Sequence, residues 1–321
     1  MLTFDQRQID SAGSFLVGEL ERLDPTMNMP LASVTYTRDI DLREDVSPAD
    51  IASSFLNVSF AAAGGPSTTG KNWIGKNSTS VPGVAVDLGK TTLPMTPWGM
   101  TVQWTVQELL AAQQVGRPID TIKFDGMTLK HAMDTDEMVY IGDTALGVKG
   151  LLNSTAVTAE DPITYDTNKV TWAAKLTAGG PTAILDDVNK LLNACWAASG
   201  YAVCPDSLLL PPAQYSAINV PVTSAGSVSI LKYIAENSIA NGINGKPLRI
   251  EPVKWLYQRG ASSKDRACAY TKDKSRVRFP MTPLQRLPLQ YRDFHHVAPF
   301  WGTLGVVEFV YPETVRYMDG I

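Results

Sequence analysis

The sequence predicts an α+β fold, and three observations carry that expectation. Apolar residues recur at helical spacing around 105–140, 182–199 and 228–237. Short β-prone runs lie between and after them, at 207–210, 248–255, 266–270, 276–279 and 305–318. A long Gly-, Pro- and Ser/Thr-rich segment separates an acidic opening from the first helices. Of the 321 residues, 44% are hydrophobic and 19% charged, enough to bury the core of one large domain or two moderate ones.

Residues 1–60 hold ten Asp or Glu, four Arg and no Lys, a local net charge of −6. Ile9, Leu16, Leu20 and Leu23 predict a short amphipathic helix ending near Asp24-Pro25. Beyond it the chain reads as extended, with Val34-Thr35-Tyr36-Thr37 β-prone. Of the 37 positions in 61–97, six are Gly, four Pro and nine Ser or Thr, and Gly64-Gly65-Pro66-Ser67 reads as a turn. Such a composition is compatible with a disordered linker. Val84, Val86 and Leu88, alternating with Ala85 and Asp87, predict instead one leg of a β-hairpin. A two-stranded arm is marginal alone, so it must lie on something else.

The run Gln107-Glu108-Leu109-Leu110-Ala111-Ala112-Gln113 predicts a helix over Thr105–Val115, closed by Gly116 as its C-cap. Pro118 suits a first helical turn and Asp120 its positive end. They open a helix to Tyr140 with Ile119, Ile122, Gly126, Leu129 and Met133 on one face. At about 1.5 Å per residue this helix is roughly 35 Å long, the scale of a structural backbone. It ends at Gly142, ahead of Leu151-Leu152-Asn153. Thr182–Ser199 is a helix with Ile184, Leu185, Val188, Leu191, Leu192 and Cys195 on its buried side. Ser207-Leu208-Leu209-Leu210 is a short strand broken by Pro211-Pro212, and Val228–Asn237 a helix carrying Ile230, Leu231 and Ile234. Leu248–Trp255, Arg266–Tyr270 and Arg276–Phe279 are strand candidates, the last alternating Arg276 and Arg278 with Val277 and Phe279. Gly305–Met318 is strand-rich with a break at Pro312. No repeat at solenoid or propeller periods is present.

Net charge is −4, so no global basic field is built for nucleic acid or anionic lipid. No stretch approaches the roughly 18 apolar residues of a membrane span, and the polar, acidic start is unlike a signal peptide. Cys195, Cys204 and Cys268 are too few for a disulfide framework and read as reduced, buried thiols. Phosphate-binding loops, dinucleotide fingerprints and nucleophile elbows are absent. Cys195 and Cys204 form no Cys-x-x-Cys pair, and only three His exist, so zinc has little support. His131, Asp134 and Glu137 fall on one face of the long helix; a metal half-site there would need partners elsewhere, and a solvated polar face is expected. His295 and His296 cannot point the same way in a strand, so a loop or strand end with one exposed ring is expected. No catalytic, cofactor-binding or metal residue is therefore expected. Residues 246–292 carry twelve Lys or Arg against three acids, a local charge of +9. The stretch lacks the clustered cations and interleaved aromatics of a nucleic-acid binder. Its excess mirrors the acidic opening, as charge complementarity between neighbouring copies would require.

Taken in order, these elements resemble the major capsid proteins of tailed bacteriophages, the Hong Kong ninety-seven type fold shared with encapsulins. The nearest likeness runs from Pro97 to Asn153, where Gln107-Glu108-Leu109-Leu110-Ala111-Ala112 precedes the long helix and Gly142-Asp143 leads to Gly147-Val148-Lys149-Gly150-Leu151-Leu152-Asn153. The resemblance implies an N-terminal arm (1–45), an extended loop (46–97) and a peripheral domain on a spine helix (98–170). A mixed α/β axial domain (171–297) and strands returning to the peripheral domain (298–321) would follow. It implies a non-catalytic, self-assembling head protein, without cofactors, that forms an icosahedral shell of hexamers and pentamers around double-stranded DNA. The expected setting is the virion, with host cytoplasm during assembly and no membrane. A portal and separate scaffolding or decoration proteins are the expected partners, with DNA touched non-specifically. In such a shell the loop lies across a neighbouring copy, whose contacts meet its ordering cost. The rival readings are an encapsulin-like compartment loading a cargo protein, and a hydrolase using His131 or His295.

Relatives that carry their own scaffold begin with a long charged helical segment; with only residues 1–45 before the loop, that segment is expected to be absent, removed or a separate protein. Some relatives join a loop Lys to an Asn of the peripheral domain beside a Glu. Lys71, Lys76, Lys90 and Glu308 could take part here, but no Asn follows Asn244, and Asn153 and Asn168 sit in apparent turns. A solvated Lys, with a pKa near 10.4, is also a poor nucleophile, so no cross-link is expected.

Overall fold

Secondary structure follows the periodicity of the sequence through most of the chain, and departs from it where tertiary hydrogen bonds decide. The computed structural model describes residues 30–63, 74, 76, 83–115, 119–165, 169–221 and 228–321. Met1–Ser33 and Val34–Ile321 form separate units. The expected helix over Ile9–Leu23, the turn at Gly64–Ser67, Gly116, Pro118, Lys71 and Asn168 lie outside the described residues.

The hairpin leg expected around Val84–Leu88 is the strand Gly83–Pro94. Its antiparallel partner is Ala52–Ala63, in register from Ala52↔Pro94 to Ala63↔Gly83. At about 3.3 Å per residue, each twelve-residue leg spans roughly 40 Å. Met95 then links the second leg to the strand Thr96–Thr105, which pairs antiparallel with His295–Leu304 over ten residues. The short strands Gln285–Arg286 and Gln290–Arg292 complete this four-stranded sheet.

The helix Val106–Val115 opens with a reciprocal cap. The Glu108 N–H donates to Thr105 Oγ1 (3.1 Å), and the Thr105 N–H donates to the Glu108 carboxylate (3.0 Å). The long helix, Ile119–Tyr140, packs on this four-stranded sheet, but with a different face from the one expected. Met127, His131, Thr135 and Met138 are buried, while Ile122 and Met133 remain exposed. Sheet residues Trp98, Val102, Ala298 and Phe300 meet Met127 in a small core, and the Phe124 and Phe300 rings lie 5.5 Å apart.

A second correction concerns Val34–Thr37, expected to be extended. Tyr36–Asp39 is instead one helical turn, because the buried Asp136 carboxylate of the long helix accepts from the N–H groups of Thr35 (2.8 Å) and Tyr36 (3.0 Å). Tyr36 and Ile40 join the largest core with Val139, Tyr140, Tyr270 and Phe279, so the chain from residue 34 onward is part of the body.

A five-stranded sheet runs in the order Ala159–Glu160, Val315–Asp319, Arg266–Tyr270, Ser207–Leu210, Arg249–Pro252. Ser207–Leu210 is buried at every residue, as a strand covered on both faces must be. The helix Gly180–Ala198 lays Ile184, Val188, Leu191 and Leu192 against Leu208, Leu210, Ala269 and Met318. Within 298–321 the strands join different sheets: His295–Leu304 pairs with Thr96–Thr105, whereas Val315–Asp319 pairs with Arg266–Tyr270. Val315 and Tyr317 fill one core and Met318 the other, so this strand needs both faces covered. A small sheet of Asp41–Arg43, Val277–Pro280 and Glu308–Phe309 completes the body, with Val277 and Phe279 buried as their alternation predicts.

Candidate functional site

Strand alternation decides what the hairpin can do. Cross-strand partners share a face, so the register puts Leu56, Val58 and Phe60 beside Lys90, Leu88 and Val86, with Val84 next in the row. The opposite face carries Phe55, Asn57, Ser59, Asp87 and Thr91. The six apolar side chains of the first face are all exposed, from 49% for Val58 to 73% for Phe60 and Val84. A continuous apolar row of this size on a ribbon only two strands thick is a contact surface that the ribbon cannot cover itself.

The root of the ribbon is held firmly. The Met95 N–H donates to the Ile51 carbonyl (2.9 Å) and the Met95 side chain is buried. Ser53 is buried as well; its hydroxyl donates to the fully buried Glu308 and accepts from Arg43 Nη1 (2.9 Å). Glu308 also accepts from Arg278 Nε (2.6 Å) and Arg43 Nη1 (3.1 Å). Hydrogen bonding to Asp45 and the charge of Glu308 raise the Arg43 pKa, and Arg43 lowers that of Asp45.

Two more buried carboxylates tie the body together. Asp39 accepts from Tyr140 Oη (2.5 Å), Arg38 Nε (2.7 Å) and Arg249 Nη2 (2.8 Å). Burial and the Asp39 charge push the Tyr140 phenol well above its ordinary value. Besides the two backbone N–H groups, Asp136 accepts from Trp255 Nε1 (2.7 Å), with Lys254 Nζ at 3.5 Å.

Members of the acidic and basic stretches also pair within one chain. Asp39 pairs with Arg249 and Asp41 with Lys272 (3.7 Å) inside one chain. Lys254, Arg266 and Arg278 are likewise spent on Asp136, Asp319 and Glu308. Much of the +9 stretch therefore neutralises carboxylates of its own chain.

The residues singled out for chemistry are dispersed. His131 is buried, not solvated as expected: its ring meets Trp98 edge-on at 4.6 Å, and its Nε2 has no hydrogen-bond partner among the described residues. Burial holds its pKa below the usual imidazole value, against the pull of Asp134. Asp134 accepts from Trp98 Nε1 (3.0 Å) and Lys130 (2.5 Å). Asp134 and Glu137 border a cleft of about 600 Å³ with Trp98, Ile141, Leu146 and Arg259. His295 is exposed at the first position of its strand and faces away from the long helix, so the sheet separates it from His131. His296 packs edge-on against Tyr291 at 4.7 Å. Among the described residues no group of three or more His, Cys, Asp or Glu is gathered to hold a metal, and no helix is long and apolar enough to cross a membrane. The three thiols are free and buried; burial pushes Cys195 up to about 12 and raises Cys204 and Cys268 too. Of the candidate cross-linking groups, Lys90 lies on the apolar face of the hairpin, Lys76 is exposed, and Glu308 is committed to its arginines. Asn153 uses both ends of its amide, donating to the Ile141 carbonyl (2.7 Å) and accepting from the Gly150 N–H (2.8 Å).

Known proteins share this arrangement. A family model described as major capsid protein matches residues 70–321. No curated protein matches the chain. Among solved structures, the capsid of Myoviridae phage XM1 superposes with a TM-score of 0.75 at 16% identity, covering 96% of this chain and 99% of that one. The capsid of the native GTA particle gives 0.61 at 11% identity, over 94% and 96% of the two chains. A structure from Mycobacterium phage Adephagia gives 0.60 at 11%, over 100% and 99%. At such identities the structural likeness is one of fold, and the family model, which spans most of the sequence, carries the assignment. This chain belongs to the major capsid protein family and has the fold of the capsid subunits it superposes on.

Proposed function

We propose that copies of this chain assemble as hexamers and pentamers into an icosahedral shell around double-stranded DNA, each hairpin lying with its apolar face on a neighbouring copy. In this reading residues up to 45 act as the arm, 46–97 as the extended loop, 98–170 as the peripheral domain, and the central residues up to 297 as the axial domain. The role is geometric, and the chain performs no catalysis. A portal, separate scaffolding or decoration proteins and non-specifically held DNA complete the particle, which assembles in host cytoplasm.

The observation that carries the reading is the exposed apolar row of Leu56, Val58, Phe60, Val84, Val86 and Leu88 on one face of the hairpin. Burying a side chain of this kind contributes roughly 1.5–3 kcal/mol, so the row supplies binding energy for a partner that every copy can provide. Sedimentation and negative-stain microscopy of the purified chain test it. Capsomers or shells are expected. A monodisperse 34.8 kDa monomer at high concentration, with no particles on adding scaffold, refutes the proposal.

A further inference from the structure

We infer that Arg43, Ser53 and Glu308 form a clamp that sets the angle at which the hairpin leaves the body, with Ser53 as its positioning residue for assembly. The inference rests on the reading of the hairpin as the assembling element.

Ser53 is the second residue of the outgoing leg, paired with Leu93, and it is buried where the residues beyond it become exposed. Its hydroxyl is the hairpin's side-chain link to Glu308. Arg43 Nη1 reaches that hydroxyl, the Ser54 carbonyl (3.2 Å) and both Glu308 oxygens (3.1 and 3.3 Å). Its remaining nitrogens hold Asp45 at 2.8 and 3.2 Å, which fixes the guanidinium plane. All of this stands on the small three-stranded sheet. Arg278, in its middle strand, lies opposite both Asp41 and Glu308, and donates to Glu308. One buried carboxylate is therefore shared by the hairpin, the strand that precedes it and the strand beneath.

Geometry makes this root consequential. A two-stranded ribbon bends and twists easily, and its backbone ladder does not fix its angle to the body. On a leg roughly 40 Å long, a tilt of about 10° moves the far end about 7 Å, more than the spacing between neighbouring strands. A tilt of that size carries the apolar row off its seat on the next copy. Glu308 is a suitable anchor because a buried carboxylate with two arginine partners keeps its place only while its donors stay in reach.

Ser53→Ala, Ser53→Thr and the wild type are compared twice. Hydrogen exchange on the unassembled subunit reads the root, residues 52–55 and 91–95. Negative-stain microscopy reads particle diameters after concentration. Ser53→Ala is expected to exchange at the root at least tenfold faster, with a nearly unchanged melting temperature, and to give open sheets or shells of mixed diameter. Ser53→Thr, which keeps the hydroxyl, is expected to restore both readouts. Unchanged exchange with uniform shells in Ser53→Ala overturns the clamp, as does a defect shared equally by Ser53→Thr. If Ser53→Ala does not fold, Arg43→Lys serves, since it keeps the charge beside Glu308 and loses the fork to Ser53 and Ser54; slow root exchange and uniform shells in that variant overturn the proposal. If the wild type forms no particles, the assembly reading fails, and root exchange alone then decides the clamp.

Discussion

Replacing Phe60 by alanine separates what holds the subunit together from what joins subunits. The Phe60 ring is 73% exposed, in none of the three cores, and faces Val86 across the ribbon. Its loss therefore costs the isolated subunit only the cross-strand pair, a few tenths to about 1 kcal/mol within a ribbon that is already marginal. In the proposed shell the ring is covered, and removing it would forfeit about 2 kcal/mol of burial at each hairpin contact. At 1.4 kcal/mol per factor of ten, the concentration at which particles form should rise about 30-fold. Light scattering against protein concentration reads that threshold, and calorimetry of the unassembled subunit reads the fold. A melting temperature lowered by many degrees with an unchanged threshold would show that Phe60 belongs to the subunit core and refute the reasoning.

Other perturbations test other parts of the molecule. Asp187→Ala leaves Lys175 as a buried unpaired cation and strands Trp172 Nε1 and the Ile163 N–H, so unfolding free energy should fall by about 3–5 kcal/mol; the double variant Lys175→Met/Asp187→Leu should regain part of it in denaturant titrations. Burial lowers the His131 pKa in the fold below the 6.5 of the unfolded chain, so stability should be lost as pH falls through that value. His131→Phe, which keeps a ring against Trp98, should flatten the melting temperature between pH 7 and 5. Mature particles boiled in detergent should release one band near 34.8 kDa, because Asn153 and Glu308 are already engaged; a covalent ladder would contradict this.

Where the fold is a matter of periodicity, it was legible. Val84, Val86 and Leu88 announce a strand, Arg276–Phe279 alternates as a half-buried strand must, and Ile184 to Cys195 marks a helix face. The helix start expected at Thr105 falls within a residue of Val106, where Thr105 and Glu108 cap each other. What escaped is the polar interior. Asp39, Asp136 and Glu308 are fully buried, and nothing in hydropathy distinguishes them from solvated acids, since their burial depends on donors up to 265 residues away. The same blindness hid the contact face of the long helix, where His131 and Thr135 count as polar yet lie inward. It also hid the turn at Tyr36–Asp39, which two hydrogen bonds to Asp136 impose on a β-prone run. Net charge carries no distance, so the −6 and +9 stretches suggested contacts between copies while several of their members pair at home. The hairpin as a site was readable from its pattern, and its root was not.

The passage of the chain through Met95 has a mechanical consequence. The second leg of the hairpin, Gly83–Pro94, runs almost directly into Thr96–Thr105, which is zipped to His295–Leu304 along ten residue pairs. Tension drawn along that leg reaches this seam parallel to the strands, across hydrogen bonds that stand perpendicular to the pull. Loaded in shear, the bonds yield together or not at all, whereas the same seam peeled from one end would open rung by rung. In the proposed assembly, a pull from a neighbour through the hairpin would meet this seam in shear.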